Sequence, residues 1–258
     1  EIFFYFLNRL IDYPLSKNTY FYFYIMDNLM NTKYWNLLST ISIAFIVFVL
    51  FQITQLVVVA TVIENDVIQG FQTACRMLVS GNSLVTEAEI KNVAYGNLGL
   101  ISAISSIIGV LFIIFFIRIK STPVFTYLSF NLPQPKTTIL FLCICIFFMF
   151  FSELISYWKP NVFDDTFVVE SYRQANNLPI LYIGVVIFGP LFEEVLFRGF
   201  LFKGLENSFV GGHGAVFISS LLFAGIHLQY DQTSILFILL PMAILLGYAR
   251  LISKSLLL

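Results

Sequence analysis

The sequence predicts an all-α fold: a polytopic helical membrane protein with about 6–8 transmembrane helices around an intramembrane polar site. Of its residues, 59% are hydrophobic and 11% are charged, and the mean hydropathy is +0.87. Ordinary globular domains carry about 25% charged residues. Several stretches exceed the roughly 18 apolar residues that indicate a bilayer-spanning helix, and the 30 phenylalanines and 13 tyrosines fit lipid-facing and interfacial positions. The net charge of -1, without any basic tract, excludes a nucleic-acid surface.

Hydropathy divides the chain into three regions. Residues 1–36 alternate aromatic and charged side chains, and we expect an interfacial amphipathic segment there. Residues 37–178 hold N-terminal transmembrane helices without a recognised motif, and residues 179–258 hold the polar site. The predicted spans are 37–63, 97–117, 138–158, 179–202, 213–230 and 233–250, and a further apolar run starts at Ser255. The fifth span is short and glycine-containing, so we expect it to be buried among other helices.

The distribution of Lys and Arg predicts the orientation of the chain in the membrane. With the N-terminus in the cytoplasm, ten of the 14 Lys and Arg residues fall on the cytoplasmic side and four fall outside. We therefore expect a multi-pass membrane protein with a cytoplasmic N-terminus. At a rise of about 1.5 Å per residue, the polar residues of the fourth span lie roughly 8–15 Å below the cytoplasmic boundary.

Three charged residues of the fourth predicted span and one histidine of the fifth predict a functional site. Glu193, Glu194 and Arg198 lie in the apolar run from 178 to 202, and His227 lies in the next run. An ionised side chain in hydrocarbon costs about 2.5–3.5 kcal/mol, so three unpaired ones would cost roughly 8–10 kcal/mol. This is comparable with the whole net stability of a typical domain, about 5–15 kcal/mol. Such residues must face a protein interior or a wet cavity.

Their spacing indicates different tasks for the two glutamates. Successive helical residues point about 100° apart, so Glu193 and Glu194 face different neighbours. Glu194 and Arg198 are four residues apart and can pair along one face. Glu193 has no sequence-local cation, which suits a general base or acid, and His227 can share a water or a metal ion with it. A cluster that merely fixes helix register would use the same residues, and that alternative stays open.

Two sequence motifs carry a family resemblance. The run FEEVLFRG, from Phe192 to Gly199, resembles the Glu-Glu-x-x-x-Arg motif of the CAAX protease and bacteriocin-processing (CPBP, or Abi) family of intramembrane metalloproteases. The run FAGIH, from Phe223 to His227, resembles the second motif of that family, Phe-x-x-x-His. The run LGYAR, residues 246–250, resembles the glycine-containing helix that follows. The resemblance covers about residues 179–258, which form the CPBP-like core.

The resemblance implies roles for these residues. Glu193 is expected to activate the attacking water, with His227 as its partner in holding that water or a divalent metal ion, zinc in the first place. Glu194 and Arg198 are expected to shape the site and hold substrate. The third family motif, His-x-x-x-Asn (or Asp), is expected after Leu258. We therefore expect a core that is C-terminally incomplete in this sequence, and a degenerate protein without the motif is the alternative. His213 precedes the second motif and does not replace it.

The leading functional hypothesis is an intramembrane endopeptidase that cleaves a membrane-associated protein or peptide with activated water. The alternative is a catalytically inactive CPBP-like scaffold or binding partner in a membrane complex. A serine mechanism through Ser219 or Ser220 and a proton-coupled transporter using Glu193 rank lower, because neither a nucleophile motif nor an internal repeat is found. Cys75, Cys143 and Cys145 have no metal-binding spacing. The sequence specifies neither the substrate nor the oligomeric state.

Overall fold

The computed structural model describes residues 34–80, 86–159, 162, 163 and 165–257, and every regular element in these ranges is helical. This confirms the all-α prediction. The interfacial segment predicted for residues 1–36 lies, apart from its last three residues, outside the described residues. The helices are α1 (Leu37–Glu64), α2 (Val67–Ser80), α3 (Glu87–Gly96), α4 (Leu98–Ile119), α5 (Val124–Leu128), α6 (Pro135–Trp158), α7 (Thr166–Gln174), α8 (Leu178–Glu206), α9 (Gly211–Gly225) and α10 (Gln232–Ser253).

Five of these helices are long and apolar enough to cross a membrane: α1, α4, α6, α8 and α10. Their ends agree within four residues with five of the six predicted spans. The agreement follows from composition, because each helix contains a long window with few ionised side chains. The prediction of a multi-pass membrane protein is confirmed.

Helix α9 is shorter than the span predicted for residues 213–230. It has 15 residues, which gives about 22 Å at 1.5 Å per residue, whereas the hydrocarbon core of a bilayer is about 30 Å thick. The helix ends at Gly225, and the backbone N–H of Tyr230 donates to the His227 carbonyl at 3.2 Å, so a turn replaces the last predicted helical residues. The predicted burial is found for five of its residues, Ala215, Val216, Ser219, Ser220 and Ala224.

Helix α8 packs closely against α4 and α1 through glycines. A Cβ atom at Gly184 would overlap the carbonyl oxygen of Gly99 in α4. A Cβ atom at Gly204 would likewise overlap the side chain of Thr40 in α1. Small residues of this kind let helix backbones approach each other in a membrane, where dispersion contacts drive helix association. These contacts fix α8 in the interior of the bundle.

The C-terminal half of α8 is buried on all sides. Every residue from Val195 to Phe202 is buried, so this stretch has no lipid-facing side. Phe192 stacks on Phe51 of α1 with ring centres 4.3 Å apart, and Phe200 stacks on Tyr127 of α5 at 5.7 Å. Ionisable residues on this part of α8 therefore lie among protein side chains.

Helix α6 lies at the periphery. Phe141 is the one buried residue among its 24. Its exposed side chains are large and apolar, which is the pattern of a helix that faces lipid; they include Leu142, Phe147, Met149 and Phe150. This helix contributes nothing to the interior where the glutamates of α8 lie.

Candidate active site

Helix α8 departs from regular α-helix on both sides of the glutamates. It has wider π-helical turns over Ile183–Phe188 and over Glu194–Leu201, with the α-helical segment Gly189–Glu193 between them. Pro190 lacks an N–H, and its ring would crowd the carbonyl four residues earlier, which belongs to the first π-helical segment. The wider turn relieves this conflict. Single π-helical turns are frequent at functional sites. Here Glu193 ends the α-helical segment and Glu194 begins the second π-helical segment.

Glu193 and His227 meet inside the bundle. The carboxylate oxygen Oε1 of Glu193 lies 3.7 Å from Nε2 of His227, and the side chains are 29% and 10% exposed. His227 stands on the turn after α9, and its Nδ1 lies 2.7 Å from the carbonyl oxygen of Phe223. A carbonyl can only accept, so Nδ1 carries a proton and donates it. In the neutral ring, Nε2 then presents a lone pair toward Glu193.

The carboxylate of Glu193 and the imidazole of His227 could both bind one water molecule that lies beside them. At 3.7 Å, Glu193 Oε1 and His227 Nε2 are too far apart for a hydrogen bond of ordinary length, about 2.7–3.2 Å. Both atoms can accept a hydrogen bond, and a water molecule has two protons to donate. A water donating to both would leave its oxygen lone pairs directed away from the pair, which is the arrangement an attacking nucleophile needs.

Glu194 and Arg198 form a second pair on another face of α8. Arg198 Nη1 lies 3.3 Å from Glu194 Oε1, and the Arg198 side chain is 3% exposed. The guanidinium carbon of Arg198 lies 4.2 Å from the ring centre of Phe223, an interaction between a cation and an aromatic face. The same ring lies 4.6 Å from the His227 imidazole. The Phe223 ring therefore contacts both the Arg198 guanidinium and the imidazole of His227.

An aromatic wall that sequence reasoning missed completes the surroundings of His227. Tyr230 stacks on the His227 ring with centres 6.2 Å apart, and Phe167 of α7 packs edge-on against Tyr230 at 5.7 Å. Tyr230 stands three residues after His227, so its proximity could have been suggested from the sequence. Phe167 comes from a separate helix 60 residues earlier, and no local sequence signal predicts its contact with this wall.

The other candidate residues lie apart from this pair. Ser219 Oγ donates to the Val216 carbonyl at 3.3 Å, and neither Ser219 nor Ser220 is a hydrogen-bond partner of His227 in the described ranges. A serine nucleophile needs a base within hydrogen-bond reach. His213 is exposed at the start of α9, with Nδ1 3.3 Å from the hydroxyl of Tyr248. None of these three residues contributes to the candidate active site.

The donors at this site supply part of a zinc shell. A glutamate oxygen and an imidazole nitrogen are both zinc ligands, but catalytic zinc sites use three protein ligands. Within the ranges that the structure describes, no group of three His, Cys, Asp or Glu side chains could hold a metal ion. The described residues therefore do not fit a complete zinc site, and the chemistry below is derived from water and side chains alone.

Comparison with known proteins finds a family model that matches the C-terminal part of the chain. Residues 175–258 match the family model described as Rce1-like, type II CAAX prenyl endopeptidase Rce1-like. Both motifs, with Glu193, Glu194, Arg198 and His227, fall within this segment. The predicted resemblance to CAAX proteases is thus confirmed for this region, which comprises about a third of the chain. Searches of curated proteins and of solved structures gave no match.

Proposed function

We propose that this protein is an intramembrane endopeptidase that hydrolyses a peptide bond of a membrane-associated protein or peptide. The observation that carries this proposal is the approach of Glu193 Oε1 to His227 Nε2 at 3.7 Å. The pair lies within the segment that matches an endopeptidase family. A carboxylate and an imidazole that can both accept a hydrogen bond from one water molecule beside them are the minimal apparatus for general-base hydrolysis.

The reaction follows from these two groups. Glu193 accepts a proton from the water, while Nε2 of His227 accepts a hydrogen bond from the other O–H and holds the oxygen toward the substrate carbonyl. The hydroxide formed in this way adds to the carbonyl carbon and gives a tetrahedral intermediate. Protonated Glu193 then donates its proton to the amide nitrogen as the C–N bond breaks, which releases an amine and a carboxylic acid. No acyl-enzyme forms, because no side chain is the nucleophile.

Glu194 and Arg198 shape the site in this proposal. Arg198 lies against Phe223, and Phe223 lies against His227, so the ion pair with Glu194 sets the position of the imidazole through an aromatic ring. A misplacement of about 1 Å from such a supporting contact costs about 100-fold in rate. The direct holding of substrate by these two residues is a further part of the proposal.

A divalent ion, zinc in the first place, would use Glu193 and His227 as two of its ligands. When bound, it would act as a Lewis acid and lower the pKa of its bound water. The described residues bring no third ligand to these two, so none of the steps above depends on the ion.

The proposed location is a bacterial inner membrane with the N-terminus in the cytoplasm, supported by the ten Lys and Arg residues that this orientation places inside. A reporter fused after Lys203 should read cytoplasmic, and one inserted within residues 165–174 should read external. The reverse pattern would contradict this orientation and move the site to the other half of the bilayer.

The experiment that tests the activity compares cells making the wild-type chain with cells making Glu193→Gln. Glutamine keeps the volume of the side chain and removes the base, so a membrane peptide should persist uncleaved only in the variant. Glu153→Gln is the matched control, because Glu153 is exposed on α6 and lies away from the pair. Identical peptide profiles for all three chains would refute proteolysis and favour the scaffold alternative.

A further inference from the structure

A second buried polar cluster lies where α8 meets α10. Arg198 and Arg250 are both 2% exposed. Arg250 Nε donates to the backbone carbonyl of Arg198 at 3.0 Å, which ties the end of α10 to the middle of α8. The proposed hydrolysis uses neither the Arg250 side chain nor the space beside it.

The two guanidinium groups are incompletely partnered. Nη1 and Nη2 of both arginines lack a hydrogen-bond partner among the described residues. Arg198 Nη1 lies 3.3 Å from Glu194 Oε1, so the two charges attract each other. The two groups are not aligned for a hydrogen bond. No salt bridge to Arg250 occurs in the part of the chain that the structure describes. Buried N–H donors without a hydrogen bond are costly, so these Nη groups favour a further acceptor.

The carboxylate of Glu206 does not fill that role. It lies near enough to Arg250 to interact electrostatically. Its oxygens, however, contact Nζ of Lys203 at 3.0 Å and Nζ of Lys254 at 2.7 Å. Glu206 thus already has two ammonium partners, and the Arg250 Nη atoms stay without a hydrogen bond from it.

Both arginines line a cavity of about 70 Å³. The other polar residues of its lining are Glu194 and Ser255, and its apolar residues are Leu246, Ala249 and Leu256. The lining has two guanidinium groups against one carboxylate, which leaves one positive charge in excess. This volume exceeds the roughly 30 Å³ that one water molecule takes in the liquid, so the cavity has room for a carboxylate group.

We propose that Arg198 and Arg250 form a binding site for one carboxylate group, either free or carried on a larger ligand. The planar forks of two arginines match the two oxygens of a carboxylate, with charge-assisted hydrogen bonds to the Nη atoms. A single negative charge also balances the excess in the lining. This anion site lies on the face of Glu194 and shares Arg198 with the substrate-holding role proposed above, whereas its test does not depend on proteolysis.

The test measures thermal unfolding of the purified full chain in detergent, with sodium acetate or sodium phosphate added against sodium chloride at equal ionic strength. Acetate should give a saturable upward shift of about 2–4 °C, because a ligand that binds the folded state stabilises it. Arg250→Gln should lose this shift. The matched control Arg118→Gln, which removes an exposed arginine at the end of α4, should keep it.

A second variant keeps both charges. Ala249→Val adds two methyl groups in the lining of the cavity, where Ala249 is 3% exposed. It should abolish the acetate shift even if Arg250→Gln does not fold. An acetate shift that is absent in the wild type, or that is equal in Ala249→Val, would overturn the site. A shift with phosphate alone would overturn its assignment to a carboxylate.

Discussion

Helices α6 and α8 have similar composition and opposite surroundings. Both are long, with 24 and 29 residues, and both are strongly apolar. In α6 one residue is buried, whereas in α8 the whole stretch from Val195 to Leu201 is buried. Each helix carries glutamate, but Glu153 of α6 is exposed near the helix end and Glu193 faces His227. Hydropathy thus identifies a span, and helix packing determines whether a charge in that span becomes a site.

The largest effect on stability is expected from removing an aromatic ring from α8. Phe192→Ala should lose about 3 kcal/mol, the lower end of the range for Phe→Ala in water-soluble cores, because in lipid the loss is mainly of packing. Phe192 is 2% exposed and stacks on Phe51. Phe147→Ala in α6, where the ring is 68% exposed, should change little. Thermal unfolding in detergent measures both, and equal losses would contradict the comparison of the two helices.

A smaller loss is expected from breaking the ion pair of α8. Arg198→Leu leaves the Glu194 carboxylate without its cation, which typically costs 3–5 kcal/mol in a fully buried pair. The Glu194 side chain is 37% exposed, so water can solvate its carboxylate. We therefore expect a loss of stability of about 2 kcal/mol. Glu193→Gln should lower the yield of folded protein in detergent less than Arg198→Leu does. Wild-type yield for Arg198→Leu would show that the pair is solvated.

The smallest loss is expected from one methyl group at a helix contact. Gly184→Ala should cost about 1–2 kcal/mol, because the new Cβ meets the Gly99 carbonyl and the backbones must separate. Gly225→Ala is the matched control, since nothing lies within 4 Å of a Cβ atom at that position. The midpoint of thermal unfolding should be lower for Gly184→Ala than for Gly225→Ala. Equal midpoints would mean that α4 and α8 are farther apart than described.

Much of the fold could be predicted from the sequence, and the reason is physical. The cost of ionised groups in hydrocarbon limits each span to an uncharged window, so five helices could be assigned by counting residues. The same cost singled out Glu193, Glu194, Arg198 and His227 as a site.

Features that depend on tertiary contacts could not be predicted. The π-helical turns beside Pro190 give no hydropathy signal, and helix α9 ends at Gly225 although the apolar residues continue. Arg250 contacts the Arg198 carbonyl across 52 residues of chain, and Phe167 reaches Tyr230 from a separate helix. Such contacts depend on which side of a helix faces its neighbour, and the nearly uniform apolar composition of these helices does not specify that side.

The central claim is that Glu193 and His227 act as one hydrolytic unit. The substrate for the most direct measurement is the peptide that persists uncleaved in cells with Glu193→Gln. Its cleavage is measured with membranes that contain Glu193→Gln, His227→Ala or the double variant. Both single variants should lose cleavage by orders of magnitude, because a water held by one group alone is poorly oriented. The double variant should be no worse than either one, since groups that act together are not additive. Full cleavage by both single variants would contradict the account and leave the buried charges with a structural role.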